Sequence, residues 1–376
     1  AVKRRFESRA MPAYEKPPAK LVDIYSICNI IDTGDDMKIL LYFENEDFIK
    51  ISGVGRAFEH QKRALTSQGI TYTTDPWDEE YDILHINTYT GSSEAVIKSA
   101  REKGKKVIYH AHSTKEDFQN SFIFSNAIAP FYNSRLVSLY AKADSIITPT
   151  PYSKKLLKGY GLKQQIHAVS NGVMLEKYTY DEEKVKAFRK YFSLKEGDKV
   201  VIGVGLLFKR KGLLDFIEVA RQLPQYKFIW FGDINHLVVT KDILDAIHEA
   251  PYNVYFPGYV KGPIIEGAYS DASCFFFPSY EETEGIVVLE ALASRCPMLL
   301  RDIGAYSPWL QHGVNTYMGC TNEEFVSLLK GIVEKDLPDL TEQGYQVAKE
   351  RNIENIGRQL KKVYEAVLQG NDTDDL

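Results

Sequence analysis

Short apolar runs alternate with amphipathic segments over most of this chain. The apolar runs, rich in β-branched and aromatic residues, predict strands at 38–43, 83–87, 106–110, 145–149, 166–169, 200–205, 227–231, 254–256, 272–277 and 298–301. Segments with helical periodicity lie between them and include 56–68, 94–103, 152–159 and 213–223. Apolar strands that alternate with amphipathic helices are typical of parallel sheets covered by helices on both faces. The pattern therefore predicts an α/β fold.

Two successive series of strands and helices predict two doubly wound, Rossmann-like domains that face one another across a cleft. A turn signal at Asn171-Gly172, followed by a charged stretch, predicts the boundary between them. We expect a first domain at 37–177, a second at 178–350 and a closing segment at 351–376. Residues 1–36 look like an appendage to the main fold, either an upstream extension or an artificial addition. Ligands of such sheets bind at the carboxyl ends of the strands.

Composition narrows the classes of protein. The chain has 376 residues, of which 44% are hydrophobic and 26% are charged, as in ordinary globular proteins. Its four cysteines show no CxxC spacing, so neither a disulfide framework nor a zinc site is expected, and a cytoplasmic location fits. No signal peptide and no bilayer-spanning apolar run are expected. The net charge is −5, with a slight positive excess in 37–177, so an anionic surface would meet that half.

Two glycines follow the first predicted strand, in the sequence Ser52-Gly53-Val54-Gly55-Arg56. Glycines there let the backbone approach a ligand, and the free N–H groups at the start of a helix favour an anion. An ordinary tight turn explains the motif equally well. The glycine fingerprint of dinucleotide-binding oxidoreductases is incomplete, because the third glycine and the acid after the second strand are missing.

Cationic and histidine side chains follow two other strands. The segment Gly205–Gly212 contains Lys209, Arg210 and Lys211 between a buried strand and a helix. Such a segment can bind a diphosphate through charge and helix dipole together, although three consecutive cations are also common on solvated surfaces. His110 and His112 end another strand and are followed by Ser, Thr and Lys, which favours a loop that faces a ligand.

The most specific pattern is a pair of acids, Glu282 and Glu290, around the predicted start of a helix. Glu282 and Glu284 could simply complement the dipole of that helix. This explanation fails for Glu290, because its neighbours are apolar and a buried carboxylate needs hydrogen-bond donors. Vicinal hydroxyls of a ribose or a hexose are suitable donors, and Gly285 would let the loop close onto a sugar. The pair therefore indicates a sugar nucleotide as the ligand.

These motifs together resemble those of the retaining glycosyltransferases of family 4, which have the GT-B fold. The arrangement of Glu282 and Glu290, the segment Gly205–Gly212, Asn171-Gly172-Val173 and the histidine at the strand end occur in the family's order. The resemblance covers about 37–368. It is closer to the Gram-positive enzymes that add a second hexose to glucosyl-diacylglycerol, on Gly53–Ala57, His112–Asp117, 208–212 and 281–290.

The resemblance implies roles for individual residues. Glu290 would hold the ribose hydroxyls and Glu282 the donor sugar, while Lys211 would contact the diphosphate and His110 would lie near the transferred sugar. The remaining donor-binding residues would be Gly53, Gly55, Lys209, Arg210, Tyr259, Val260, Glu284, Gly285 and Ile286. Leu206 stands where the family commonly has arginine, Met174 where it has an acid, and Pro308 where an acid is common.

The resemblance also implies the reaction. It predicts transfer of a hexose from UDP-glucose or UDP-galactose, with retention of configuration, by front-side attack and without a protein nucleophile. Glu282, His110 and Lys211 would be the catalytic residues. No metal and no tightly bound cofactor are expected, nor is nucleic acid. The final helix, 355–368, would cross back onto the first domain.

A lipid acceptor would require contact with an anionic membrane surface on its cytoplasmic face. Candidates for this contact are Phe122, Phe124 and Phe131 together with the basic Lys154 and Lys155. An aromatic stripe at helical spacing is just as commonly part of a core. Two other functions stay open: a soluble family 4 transferase acting on a polysaccharide precursor or small glycoside, and a non-catalytic GT-B subunit that serves as a binding partner or chaperone.

Overall fold

The structure is a computed structural model that describes residues 37–44, 53–233 and 238–370. The predicted appendage at 1–36, Ser52 of the glycine motif and the tail at 371–376 lie outside the described residues. None of the helices in the described ranges is long and apolar enough to cross a membrane.

The first half of the chain forms a six-stranded parallel sheet in the order β2-β1-β3-β4-β5-β6. Its strands are β1 (Lys38–Tyr42), β2 (Thr71–Thr73), β3 (Ile83–Ile86), β4 (Lys106–His110), β5 (Ser145–Thr148) and β6 (Gln165–Ala168). The order reverses between β1 and β3. Loops at such a reversal turn to opposite sides and leave a crevice at the carboxyl ends of the strands.

The second half repeats this architecture with a parallel sheet in the order β12-β11-β10-β7-β8-β9. Its strands are β7 (Val200–Val204), β8 (Lys227–Phe231), β9 (Val254–Gly258), β10 (Cys274–Phe277), β11 (Met298–Arg301) and β12 (Tyr317–Gly319). The order reverses between β7 and β10. The cationic segment (Gly205–Gly212) follows β7 and the acidic loop (278–285) follows β10, so this reversal brings the two predicted motifs together.

Helices cover both faces of each sheet. They are α1 (Gly53–Ser67), α2 (Gly91–Glu102), α3 (Lys115–Phe118), α4 (Ser125–Tyr140), α5 (Pro151–Gly159), α6 (Glu182–Tyr191), α7 (Leu213–Gln222), α8 (Lys241–His248), α9 (Pro263–Asp271), α10 (Ile286–Ala293), α11 (Asn322–Val333), α12 (Thr341–Glu350) and α13 (Ile353–Gln369). Helix starts follow local sequence signals. At α5, for example, Thr150 and Ser153 form a capping box and Pro151 occupies the first turn.

The last helix, α13, packs on the first sheet. Its Leu360 and Val363 belong to the same buried cluster as Ile39 and Ile83 of that sheet. Gly357 permits this contact, because a Cβ there would lie 2.5 Å from the backbone oxygen of Ala64 in α1. The chain therefore begins and ends its described part against one sheet.

The predicted fold class is confirmed, and each of the ten predicted strands has a counterpart whose ends differ by two residues or fewer. Two strands were missed, β2 and β12. Both are three residues long and form an edge of their sheet. A run of three residues is too short to show a period, and Thr71–Thr73 carries little apolar character.

Candidate active site

A cavity of about 800 Å³ lies at the carboxyl ends of strands from both sheets. Most of the predicted donor-binding residues line it, namely Gly53, Arg210, Lys211, Tyr259, Val260, Glu282, Gly285, Ile286 and Glu290. A second cavity, of about 420 Å³, lies near Lys199 and Met298, at the opposite ends of the strands. Ligands of open α/β sheets bind at the carboxyl ends, so the larger cavity is the candidate site.

Glu290 is the acid at the inner wall of the cavity. It lies in α10, all eight residues of which are buried. Arg56 of α1 donates through Nη1 to both carboxylate oxygens, at 2.7 and 2.9 Å, and the hydroxyl of Tyr269 donates to Oε2 at 2.9 Å. Burial opposes ionisation of Glu290, but the Arg56 charge and these hydrogen bonds outweigh it, so its pKa is lowered. Glu290 is therefore an ionised acceptor.

Glu282 lies in the acidic loop, four residues before the start of α10. Its Oε1 accepts from Lys211 Nζ at 2.6 Å and from Ser279 Oγ at 2.7 Å. Burial and the neighbouring Arg210 charge lower the pKa of Lys211, although the Glu282 carboxylate partly offsets them. A cation and an anion thus lie side by side on the cavity wall, one suited to phosphate oxygens and the other to sugar hydroxyls.

The cationic segment and the acidic loop approach closely because of Gly212. This residue has φ +77°, and a Cβ there would lie 2.1 Å from the backbone oxygen of Pro278. Any other residue would push the two loops apart and strain the backbone. The contact positions Lys211 beside Glu282 at the start of α7.

The three consecutive cations point in different directions. Lys209, Arg210 and Lys211 form one turn of 3₁₀ helix, in which successive side chains diverge by about a third of a turn. Lys209 pairs with Asp242 at 2.9 Å, is half exposed, and does not line the cavity. The expectation that Lys209 contacts the diphosphate is therefore not supported by its position.

Arg210 joins the two halves of the chain. Its Nη1 pairs with Asp117 at 2.9 Å, and its Nε donates to Ser121 Oγ at 2.8 Å. Both partners belong to the first half, whereas Arg210 follows the first strand of the second. Its side chain also reaches the cavity. Arg210 and Lys211 are each already paired with a carboxylate, and both are candidates for contact with the diphosphate.

Glu284 was predicted to bind the donor, but it does not line the cavity. It is buried, and its Oε2 accepts from the backbone N and the Nδ2 of Asn171 at 2.9 and 2.8 Å. Glu284 therefore connects the acidic loop to the end of the first half. Gly55 is also absent from the lining, because it lies buried within α1.

The histidine prediction needs a correction. His110 is the last residue of β4, and its ring is packed between those of His85 and His112, away from the cavity. His112, two residues later, lines the cavity. Its Nε2 lies 2.8 Å from Asn87 Oδ1, and burial lowers its pKa to about 3. The sequence identified both histidines as candidates. Which of them faces the cavity became clear only from the structure, in which β4 ends at His110 and His112 lies in the loop that follows.

An aromatic wall closes the first-half side of the cavity. It consists of Tyr89, Phe118, Phe122 and Tyr132, and the rings of Phe118 and Tyr132 stack with centroids 3.9 Å apart. Of the predicted membrane residues, Phe122 belongs to this wall. Phe124 and Phe131 point outward with 76% and 78% of their surface exposed, Lys155 is exposed and Lys154 is half-buried.

Two protein-family models match the chain. The model described as Glycosyltransferase Family 4 matches residues 75–177, and the model described as Glycosyl transferases group 1 matches 184–363. A processive diacylglycerol alpha-glucosyltransferase of Acholeplasma laidlawii is 50% identical over 334 residues, which are 89% of this chain and 99% of that protein. The chain belongs to glycosyltransferase family 4. The predicted family resemblance is thereby confirmed.

More distant relatives agree with this assignment. An alpha-galactosylglucosyldiacylglycerol synthase of Streptococcus pneumoniae is 25% identical over 81% of this glycosyltransferase and 83% of that enzyme. A structure of HepE from Anabaena in complex with UDP-glucose matches with TM-score 0.68 and 17% identity, over 88% of this chain and all of that one. Sucrose-phosphate synthase of Thermosynechococcus elongatus matches with TM-score 0.70 and 16% identity, over 89% and 100%. These structural matches confirm the GT-B fold.

Proposed function

We propose that this glycosyltransferase transfers glucose from UDP-glucose to diacylglycerol or glucosyl-diacylglycerol. The observation that carries the proposal is the 50% identity, over nearly the full length of both chains, to a processive diacylglycerol alpha-glucosyltransferase. The pneumococcal relative named for a galactosylglucosyl lipid is only 25% identical. Glucose is therefore favoured over galactose as the transferred sugar.

Glu290 is proposed to bind the ribose of the donor. Arg56 and Tyr269 already donate to its two oxygens, with Oε2 accepting from both. A carboxylate has about four acceptor positions, and Tyr178 also hydrogen-bonds Glu290, so a pair of ribose hydroxyls can be accommodated fully only if existing contacts are released. Donor binding is thus proposed to exchange part of the Arg56 contact for ribose hydroxyls.

Lys211 and Glu282 are proposed to act on the leaving diphosphate and the transferred sugar. When the glycosidic bond breaks, negative charge grows on the diphosphate, and Lys211 with the N-terminus of α7 lies where that charge can be stabilised. Glu282 would orient the sugar through its hydroxyls. Retention would follow from front-side attack, in which the leaving diphosphate accepts the proton of the acceptor hydroxyl and no side chain forms a covalent bond.

The acceptor lipid is proposed to enter along the aromatic wall. Outside the cavity, Ile128 and Phe131 are exposed three residues apart on α4, and Phe124, the residue just before this helix, is exposed as well. Exposed aromatic residues beside an aromatic-lined cavity suit a membrane surface that presents a lipid to the site. Peripheral contact with an anionic membrane is therefore part of the proposal, with Lys154 and Lys155 as candidate contacts for lipid headgroups.

The proposal is tested by product analysis. Purified protein is incubated with UDP-glucose or UDP-galactose and with vesicles that contain either diacylglycerol or glucosyl-diacylglycerol, and lipids are identified by mass spectrometry. We expect glucosylated lipid with UDP-glucose and little product with UDP-galactose. Glucose transfer only to a soluble glycoside, or no transfer from either donor, would overturn it. The non-catalytic alternative is not favoured, because Glu282, Glu290 and Lys211 line one cavity.

A further inference from the structure

Three histidine rings lie in a row behind the cavity wall. The ring planes of His85 and His110 are nearly parallel, with an interplanar angle of 4°, and His85 Nε2 lies 3.2 Å from His110 Nδ1. The His112 ring stacks on His110 with centroids 4.1 Å apart. All three are buried, and burial lowers the pKa of each, to about 3 for His85 and His112, so the rings are neutral. A neutral imidazole carries one proton, on either Nδ1 or Nε2.

Tyr364 of α13 decides where the His85 proton lies. Its buried hydroxyl is 2.7 Å from His85 Nδ1, a distance typical of a bond in which a hydroxyl is the donor. A phenol is a stronger donor than a neutral imidazole, and the imidazole nitrogen is the stronger acceptor. The hydroxyl therefore donates to Nδ1, the His85 proton lies on Nε2, and that N–H donates to His110 Nδ1.

Gln61 and Asn87 extend this series of hydrogen bonds to His112. The Gln61 side-chain nitrogen lies 2.8 Å from His110 Nδ1 and 2.8 Å from Asn87 Oδ1. It donates one hydrogen to Asn87 Oδ1, and the other shares the single lone pair of His110 Nδ1 with the longer contact from His85 Nε2, at 3.2 Å. Asn87 Oδ1 accepts a second bond from His112 Nε2 at 2.8 Å. Reversing any one bond in this series would bring two donors or two acceptors together, so the arrangement holds as a unit.

We propose that Tyr364, His85 and Gln61 are positioning residues that hold the His112 proton on Nε2 and leave Nδ1 as its acceptor nitrogen. Because His112 lines the cavity, that nitrogen can accept a hydrogen bond from a substrate hydroxyl. The Tyr364 hydroxyl on the last helix thus determines whether Nδ1 of His112 accepts or donates a hydrogen bond. The role in substrate binding rests on the proposed function, whereas the proton position does not.

The proton position is measured without any activity. Protein labelled with ¹⁵N-histidine is studied by long-range ¹H–¹⁵N correlation NMR, which distinguishes the two neutral tautomers and the charged ring. Loss of signals in His112→Gln assigns the His112 resonances. We expect a neutral ring with the proton on Nε2 in the wild-type protein. A proton on Nδ1, an even mixture of tautomers, or a charged ring at pH 7 would overturn the proposal.

The positioning role is tested with Tyr364→Phe, which removes one hydroxyl. We expect both tautomers at His112, and a twofold to tenfold lower kcat for transfer with nearly unchanged KM for the donor. Tyr317→Phe is the matched control, because its hydroxyl donates to Pro338 O in the second half of the chain and takes no part in the series from Tyr364 to His112. If Tyr364→Phe fails to fold, Gln61→Met interrupts the same series from α1. A His112 proton that stays on Nε2 in the folded variant would contradict the role, whereas a confirmed shift without sugar transfer would contradict only the proposed function.

Discussion

At the residue scale, neighbouring side chains of the same type differ in where their ion-pair partners lie. Lys211 contacts Glu282 inside the cavity, while Lys209, two residues earlier, pairs with Asp242 outside it. Because the two lysines share one short segment, they form a natural comparison for the diphosphate assignment.

We expect Lys211→Ala to lower kcat by roughly 10²- to 10³-fold, the range seen when one stabilising donor to a developing charge is removed. Lys209→Ala, which removes an exposed lysine of the same turn, should leave the rate within about twofold. Steady-state kinetics with UDP-glucose and vesicles measure both. Equal losses in the two variants would show that the segment acts only through its general positive charge.

The Arg56–Glu290 pair makes a prediction about pH. The pKa of Glu290 is lowered in the folded protein, so the pair contributes stability above the unfolded value of about 4.3 and loses it as the pH falls through the folded value. In Arg56→Met, the Arg56 charge no longer offsets burial, and hydrogen bonds such as the one from Tyr269 are left to favour the ionised carboxylate, so the folded pKa of Glu290 rises. The variant is then destabilised most when Glu290 is charged.

We expect Arg56→Met to lose about 3 kcal/mol of unfolding free energy at pH 8, the lower end for breaking a buried pair, because a third of the Arg56 side chain is exposed. The difference from the wild type should shrink toward pH 5. Denaturant unfolding at both pH values measures it. A difference that is constant with pH would exclude an uncompensated Glu290 charge as the cause.

At the element scale, α4 illustrates why an apolar helical stripe is ambiguous in a sequence. The segment contains residues of both kinds. Leu136 and Leu139 are fully buried, whereas Phe124 at its N-terminal boundary and Phe131 are among the most exposed large apolar residues of the described chain. Packing in the core explains why the buried residues are apolar. It does not explain the exposed aromatic residues, so their proposed contact with a membrane is the point to test.

We expect the double variant Phe124→Ser, Phe131→Ser to bind vesicles at least tenfold more weakly, since each aromatic ring removed forfeits apolar burial in the interface. Trp77→Ser is the matched control, because Trp77 is 87% exposed on a different part of the first half. Flotation with anionic and neutral vesicles measures binding. Equal binding of the double variant and the control would remove α4 from the proposed membrane surface.

At the scale of the whole molecule, the last helix connects the end of the chain to the first sheet and to the histidines. Gly357 allows α13 to lie against α1, and Tyr364 of the same helix contacts His85. A small change in this contact should therefore affect both stability and the site.

We expect Gly357→Ala to destabilise the protein by about 1–3 kcal/mol, because the added methyl group would lie 2.5 Å from the backbone oxygen of Ala64, which cannot rotate away as a side chain can. Gly159→Ala in α5 is the control. There a Cβ meets no described atom within 4 Å, and the change should be neutral or slightly stabilising. Thermal unfolding measures both. Equal melting temperatures would show that α13 can shift without cost.

The alternation of strands and helices, the two-sheet fold and the loops that carry the chemistry could all be predicted from the amino-acid sequence. This was possible because period and apolar runs are local properties, and because ligands of such sheets bind at the ends of strands. The two acids and the glycine and lysine loops could be placed at one crevice on that ground alone. Short edge strands such as β2 carried too few residues to show a pattern.

The side chains that face the cavity, and the partners that neutralise the charged residues, could be identified only from the three-dimensional structure. Glu284 bonds to Asn171, Lys209 to Asp242, and His112 rather than His110 lines the wall. Arg56 reaches Glu290 across 234 positions of sequence. Such pairings depend on the direction of a side chain at the end of an element and on partners distant in the chain. Neither is recorded in local spacing, because both follow from how the two sheets and the last helix pack together.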